Sequence, residues 1–249
     1  MFHRRADQSR FLSYLLCCWA IATVMATMAT SAAAVEQLAE RPYPAIFGSR
    51  EIHSNNLTMF PKWRSMLERF ARNLSGCPSN QPGAKQWCTL LDSWRDLDRA
   101  AQLRAVNSTM NQRPYVSDVI NWQQPDYWET PLEFLRKGGD CEDYAIAKYM
   151  ALKALGVPID DMRIVVLQDL NLRIAHAILV VYIDGGPVLL DNQIGGITPA
   201  SAVRHYEAVY SINEHGWWLH RSPPPSKTPV IAAPAGPPPI ITASAAARR

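Results

Sequence analysis

Cys141, His176 and Asp191 supply the three side-chain types that together make a thiol nucleophile. Cys141 lies in Gly138-Gly139-Asp140-Cys141-Glu142-Asp143-Tyr144, at the head of an apolar run reaching Leu155. Two glycines, an acid and a long apolar segment predict a tight turn feeding a buried helix, with Asp140 as N-cap and Cys141 in the first turn. A thiol there meets the positive end of the helix and its unsatisfied N–H groups, and both favour thiolate. An imidazole within reach takes the thiol proton and later gives it to the leaving amine. A carboxylate on the other ring nitrogen fixes the tautomer. The same seven residues also read as a structural cysteine beside capping acids, so the rest of the chain has to decide.

The elements that would position these groups can be read from periodicity. The runs Ala175 to Ile183 and Val188 to Asp191 are strand-like and are joined by Asp184-Gly185-Gly186, a hairpin signal. A two-residue loop at Asp184-Gly185 pairs Ile183 with Gly186 and, further along, Ile178 with Asp191. His176 then lies on the same face as Ile178, diagonal to Asp191 and within side-chain reach. A slip of one residue would put the two on opposite faces. Amphipathic helices are expected over 58–74 and 86–106, with a short helix from Thr130, whose Pro131 and Glu133 complete a capping box, to Gly138-Gly139. The central helix runs from Cys141 to Leu155 and ends at Gly156. Further strands are expected at Met162 to Leu167, Val209 to Ile212 and Trp217 to Leu219. The aromatic stretch Tyr115 to Pro131 reads as a surface loop or as one wall of a cleft before Cys141. Helices, one buried helix and then an antiparallel sheet make an α+β fold.

Two details of the chemistry follow. The Cys141 N–H can stabilise an oxyanion, with a side-chain donor from Asn121, Trp122 or Trp128, which the sequence does not separate. Asp140, Glu142 and Asp143 also surround the thiol with negative charge, which raises its pKa and opposes thiolate. A Ca²⁺ ion bound by these carboxylates would remove the conflict, against the plainer alternative of solvated acids at a helix start.

Composition bounds the setting. The chain has 249 residues. Residues 1–34 form a signal peptide: Arg4, Arg5 and Arg10, an apolar segment from Phe11, then Ser31-Ala32-Ala33-Ala34 with cleavage after Ala34. An uncleaved membrane anchor is the alternative. With the signal removed, the chain is expected to be periplasmic with no stable membrane insertion. Residues 35–221 are one domain's worth, and 222–249 form a Pro/Ala-rich tail that cannot bury a core. The whole chain has 25 basic and 22 acidic residues; the signal removes three bases and one acid, so the remainder is nearly neutral. With no basic stripe, nucleic acid is not an expected partner. Beyond the signal only Cys77, Cys88 and Cys141 remain. Cys77 and Cys88, eleven residues apart around a turn-rich stretch, are the expected local disulfide, which leaves Cys141 free.

The segments Trp128 to Leu135, Gly139 to Tyr149, Ala175 to Val180 and Leu190-Asp191-Asn192 closely resemble the bacterial transglutaminase-like cysteine proteinases, the LapG type, over roughly Trp63 to Trp218. The resemblance implies a papain/transglutaminase-like fold, with a buried central helix carrying the cysteine packed on an antiparallel sheet carrying His and Asp. It implies Cys141, His176 and Asp191 as the triad, and Asp140, Glu142 and Asp143 as calcium ligands. It further implies a periplasmic, Ca²⁺-dependent endopeptidase that cuts the N-terminal region of a large surface adhesin and so controls biofilm release. Such enzymes are held inactive by an inner-membrane receptor that responds to cyclic di-GMP. The Cys77/Cys88 pair and the Pro-rich tail depart from the family pattern. A transglutaminase or amidase using the same triad on side-chain amides, and a non-catalytic calcium-binding module, are the competing readings.

Overall fold

The computed structural model describes residues 43–74, 76–77 and 82–221. The signal peptide and the Pro/Ala-rich tail lie outside the described residues. Among the described residues, no helix is long and apolar enough to cross a membrane.

The helices come first in the chain: α1 (Pro61–Asn73), α2 (Ala84–Trp94), α3 (Arg99–Asn111), α4 (Asp118–Trp122), α5 (Pro131–Lys137) and α6 (Cys141–Ala154). Strand β1 (Arg50–Ser54) precedes them; β2 (Met162–Asp169), β3 (Ile174–Ile183), β4 (Gly186–Leu190), β5 (Thr198–Pro199), β6 (Tyr206–Ile212) and β7 (Trp217–Arg221) follow. The strands form one antiparallel sheet in the order β1-β7-β6-β2-β3-β4-β5. The fold is α+β, as expected.

Helix α6 is the pivot. Every residue from Asp143 to Leu152 is buried, because helices pack around it and the sheet lies across it. Its apolar side chains merge with Trp63, Trp87, Phe134, Ile164, Leu179, Val181 and Ile212 in the larger core. Alternate residues of the same strands, Val165, Leu167, Ile178 and Val180, build a second core on the other face with Ile46, Tyr206 and Ala208.

Strand β6 serves both cores through an irregularity. Against β2, Val166 pairs with Tyr210 but Leu167 pairs with Ala208, so Val209 is an extra residue. Ile212 and Tyr210 pack on the helix side, whereas Ala208 and Tyr206 pack on the opposite side. The bulge thereby reverses which face the first half of the strand presents.

The sequence-based boundaries hold with three differences. The expected helix over 86–106 is two helices, because Asp98 accepts the Ala101 N–H (2.7 Å) and starts α3 afresh. The hydrophobic spacing runs through this break, which hid it. The aromatic stretch after Tyr115 contains the short helix α4. Strands β1 and β5, one at each edge of the sheet, were not anticipated, since a short edge strand needs little apolar pattern.

Candidate active site

The turn before Cys141 is fixed by close packing. Gly138 adopts φ 76°, and a Cβ there would collide with the Pro114 carbonyl. Gly139 is gripped from both sides: its N–H donates to Pro114 O (3.3 Å) and its carbonyl accepts from the Val116 N–H (3.0 Å). A Cβ on Gly139 would run into the Asp143 carboxylate. That carboxylate accepts the Asp140 N–H on Oδ2 (3.1 Å) and the Glu129 N–H on Oδ1 (2.7 Å). Cys141 is therefore the first residue of α6, held in one place and half-buried. Among the described residues it is the free cysteine, and Cys77 and Cys88 are bonded to each other with Cα atoms 5.7 Å apart.

The thiol lies against β3. The Ala177 N–H, in the peptide that joins it to His176, points at Sγ, while the thiol donates to Glu142 Oε2 at 3.1 Å. Burial pushes the thiol pKa far above its usual range; the charges of Glu142 and Asp140 and the Glu142 hydrogen bond push it further. The acids oppose thiolate, as the charge pattern predicts.

The structure joins His176 to Asp191. The hairpin register is the expected one, with Ile183 opposite Gly186 and Leu179 opposite Leu190. His176 Nε2 lies 2.9 Å from Asp191 Oδ1, and both residues are buried. Burial raises the Asp191 carboxyl, but hydrogen bonds from His176, the Gln193 N–H and the Tyr206 hydroxyl, with the His176 charge, carry it below the usual carboxylate range. An ionised carboxylate only accepts, so Nε2 carries the proton and Nδ1 is left basic. Nδ1 faces the Gln193 amide nitrogen at 3.4 Å.

Several groups around Asp191 were not anticipated. Tyr206 donates its hydroxyl to Oδ2 (2.8 Å) and sets its ring edge-on to His176 at 5.9 Å. The Gln193 N–H reaches Oδ1 (2.8 Å) and Asn111 donates to the Asp191 carbonyl (2.7 Å). Lys148, wholly buried in α6, donates to the neighbouring Leu190 carbonyl (3.2 Å). Its pKa falls to about 7, because burial outweighs the charge of Asp191. Lys148 was the one signal in the sequence, a cation inside an apolar helix.

The acids near Cys141 are joined by others from farther away. Ligand atoms of Asp118, Asp126 and Glu142 lie within 4.8 Å of one another, as do those of Asp118, Glu129 and Asp143, and those of Asp140, Cys141 and Glu142. The strip Asp140, Glu142, Asp143 read from sequence is thus part of a larger set. Asp118, Glu129 and Asp143 are buried, and oxygens of Asp118, Glu129 and Asp140 are buried without any hydrogen-bond partner. Burial raises all four of Asp118, Glu129, Asp140 and Asp143, with Glu129 and Asp140 each pushed up to about 7. Unpartnered carboxylate oxygens converging from two segments suit a hard cation that takes six to eight oxygen ligands.

Of the three candidates for a side-chain oxyanion donor, two are hydrogen-bonded elsewhere and one is buried. Asn121 donates to Glu129 Oε1 (3.2 Å) and to Gly138 O (3.1 Å), and Trp122 donates to Glu129. Trp128 is buried in the core against Trp63. These side chains brace the turn and the acids instead. From the same stretch, Tyr115 pairs with Gly139 and stacks on Tyr144. Its phenol is pushed up to about 12, first by burial and then by the charge of Cys141, ahead of Asp140 and Glu142.

A family profile described as bacterial transglutaminase-like cysteine proteinase matches residues 78–221, more than half of the chain. Among solved structures, calcium-bound LapG of Legionella pneumophila is similar at 37% identity and TM-score 0.51, over 63% of this chain and 86% of that one. A second Legionella pneumophila LapG structure is 38% identical at TM-score 0.51, over 62% of this chain and 87% of the other. An EGTA-treated form gives 37% identity and the same TM-score, with 63% and 86% covered. No curated protein matches the chain. The chain belongs to the bacterial transglutaminase-like cysteine proteinases.

Proposed function

We propose that this protein is a periplasmic, calcium-dependent cysteine endopeptidase with Cys141 as nucleophile, His176 as base and Asp191 as its orienter. The observation that carries the reading is the buried His176–Asp191 pair at 2.9 Å beside a free cysteine that begins α6 and receives the Ala177 N–H.

Asp191 holds the Nε2–H tautomer, so Nδ1 is the atom that takes the thiol proton. The resting contacts of the two reacting atoms, Sγ to Glu142 and Nδ1 to Gln193, must give way for that transfer. Sulfur then attacks the scissile carbonyl carbon, and the imidazolium returns its proton to the departing amine. Water hydrolyses the thioester with His176 again as base.

Asp118, Asp126, Glu129, Asp140, Glu142 and Asp143 are the residues that would hold calcium. When bound, the ion supplies positive charge beside the thiol and so favours thiolate. That LapG of Legionella pneumophila has a calcium-bound structure supports calcium as the ion. The family resemblance extends the reading to a substrate and a partner. The substrate is the N-terminal region of a large exported adhesin, whose cleavage releases biofilm cells. The inhibitory partner is an inner-membrane receptor for cyclic di-GMP.

The test is adhesin processing in cells carrying Cys141→Ala. Loss of the cleaved fragment with normal protein levels is expected; unchanged processing overturns the reading. Mass spectrometry of the products distinguishes hydrolysis from amide transfer, because a transglutaminase leaves a cross-link or an added amine where a protease leaves two new termini.

A further inference from the structure

Attack of a thiolate on an amide moves the C=O π pair onto oxygen, and that oxyanion needs donors fixed before it forms. One donor is in place: the Cys141 N–H, at the first position of α6, has no acceptor within its own helix. Asn121 and Trp122 are hydrogen-bonded elsewhere and Trp128 is buried against Trp63, so a second must come from another side chain.

The Tyr115 hydroxyl remains. The Tyr115 backbone is bridged to Gly139, two residues before Cys141, so Tyr115 and the nucleophile share one clamp. Its ring stacks on Tyr144, with centroids 6.4 Å apart and planes 17° apart. Tyr144 lies three residues after Cys141 and hence on the same side of the first helical turn. The stack and the bridge together set Tyr115 beside the first turn of α6, which Cys141 begins. The residue is 60% exposed, and among the described residues no hydrogen bond engages its hydroxyl. Of the charges around it, that of Cys141 acts on it most strongly.

We propose that Tyr115 is a further catalytic residue, donating its O–H to the oxyanion opposite the Cys141 N–H. This rests on Cys141 being the nucleophile. Sulfur forms a bond to the carbonyl carbon, and the oxygen takes the electron pair while accepting both hydrogen bonds. Collapse expels the amine with the proton from His176. Tyr115 keeps its own proton throughout.

The experiment separates sulfur chemistry from oxyanion chemistry, with calcium present. Iodoacetamide alkylates the thiol by displacement and forms no oxyanion. A peptide aldehyde adds to the thiol as a hemithioacetal, whose oxygen occupies the oxyanion position, and so protects it from alkylation. Tyr115→Phe keeps the stacked ring, and its exposure makes the change tolerable to the fold. The variant is expected to alkylate at the wild-type rate but to need about 100-fold more aldehyde for equal protection. On an adhesin fragment its kcat falls by a similar factor with KM within about twofold. Equal protection of variant and wild type overturns the proposal, as does an altered alkylation rate, which would make Tyr115 a partner of the thiol itself. Failure of the underlying reading looks different: wild-type Cys141 would gain no aldehyde protection and would be indifferent to His176→Ala.

Discussion

His176 is oriented by one carboxylate, and that carboxylate is held in turn by Tyr206, the Gln193 N–H and, through its backbone, Asn111. Removing one of these donors should leave the site assembled but loosened. Tyr206→Phe is expected to lower kcat about tenfold and stability by about 1–2 kcal/mol, since a buried charge loses a hydrogen bond. Steady-state kinetics beside a denaturant titration would check both, and an unchanged kcat would make Tyr206 a packing residue. The His176–Asp191 pairing was legible because Asp184-Gly185 sets the hairpin register, and register sets faces. Tyr206 was not, because its face depends on an extra residue elsewhere in β6. Asp118, Asp126 and Glu129 were hidden for another reason: acids scattered ahead of α5 gain meaning only when the fold brings them to Glu142 and Asp143.

At the scale of elements, the junction of α5 with α6 carries the site. Pro114 and Val116 hold Gly139, Asp143 reaches back to Asp140 and across to Glu129, and Asn121 braces the Gly138 carbonyl. Gly139→Ala places a methyl group against the Asp143 carboxylate and should displace it. A loss of about 1–3 kcal/mol is expected, with weaker calcium affinity by calorimetry, because the displaced side chain belongs to the acidic cluster. Wild-type affinity in this variant would detach Asp143 from the metal site. The start of α5 was plain in sequence: Thr130 Oγ1 accepts the Glu133 N–H (3.3 Å) and Glu133 returns the bond to Thr130 N (2.7 Å). The break between α2 and α3 was not, since one Asp98 cap interrupts an otherwise continuous apolar spacing.

For the molecule as a whole, calcium should act through the acidic cluster. Buried, unpartnered carboxylates cost stability until a cation meets them. Chelation should therefore lower the melting temperature as well as activity. At calcium about 100 times Kd the linkage amounts to about 2.7 kcal/mol, roughly 5–10 °C for a domain of this size. A melting curve indifferent to EGTA would remove the metal from the proposal. At the other end of the sheet, His220 is buried between Ser49 (2.6 Å) and Ser211 (2.9 Å). Burial lowers its pKa to about 4, against Glu51, which raises it, and with Arg163, which lowers it. Its folded pKa lies below the unfolded value, so between about 6.5 and 4 the unfolded chain binds the extra proton. The stability tied to neutral His220 is complete above about pH 6.5 and is lost as pH falls through about 4. His220→Asn should be less stable than wild type at pH 7.5, with the gap closing toward pH 4; a gap constant with pH would contradict this. Strand β6 ties the two faces together. It places Tyr210 against Phe60 on the helix side, rings 5.3 Å apart, and Tyr206 on Asp191 on the other. The switch between them is Val209, half-exposed and surplus to the ladder. Were Val209 paired in an unbroken ladder, Tyr206 would turn toward the helices, so this irregularity of the sheet is what aims a side chain at the active site.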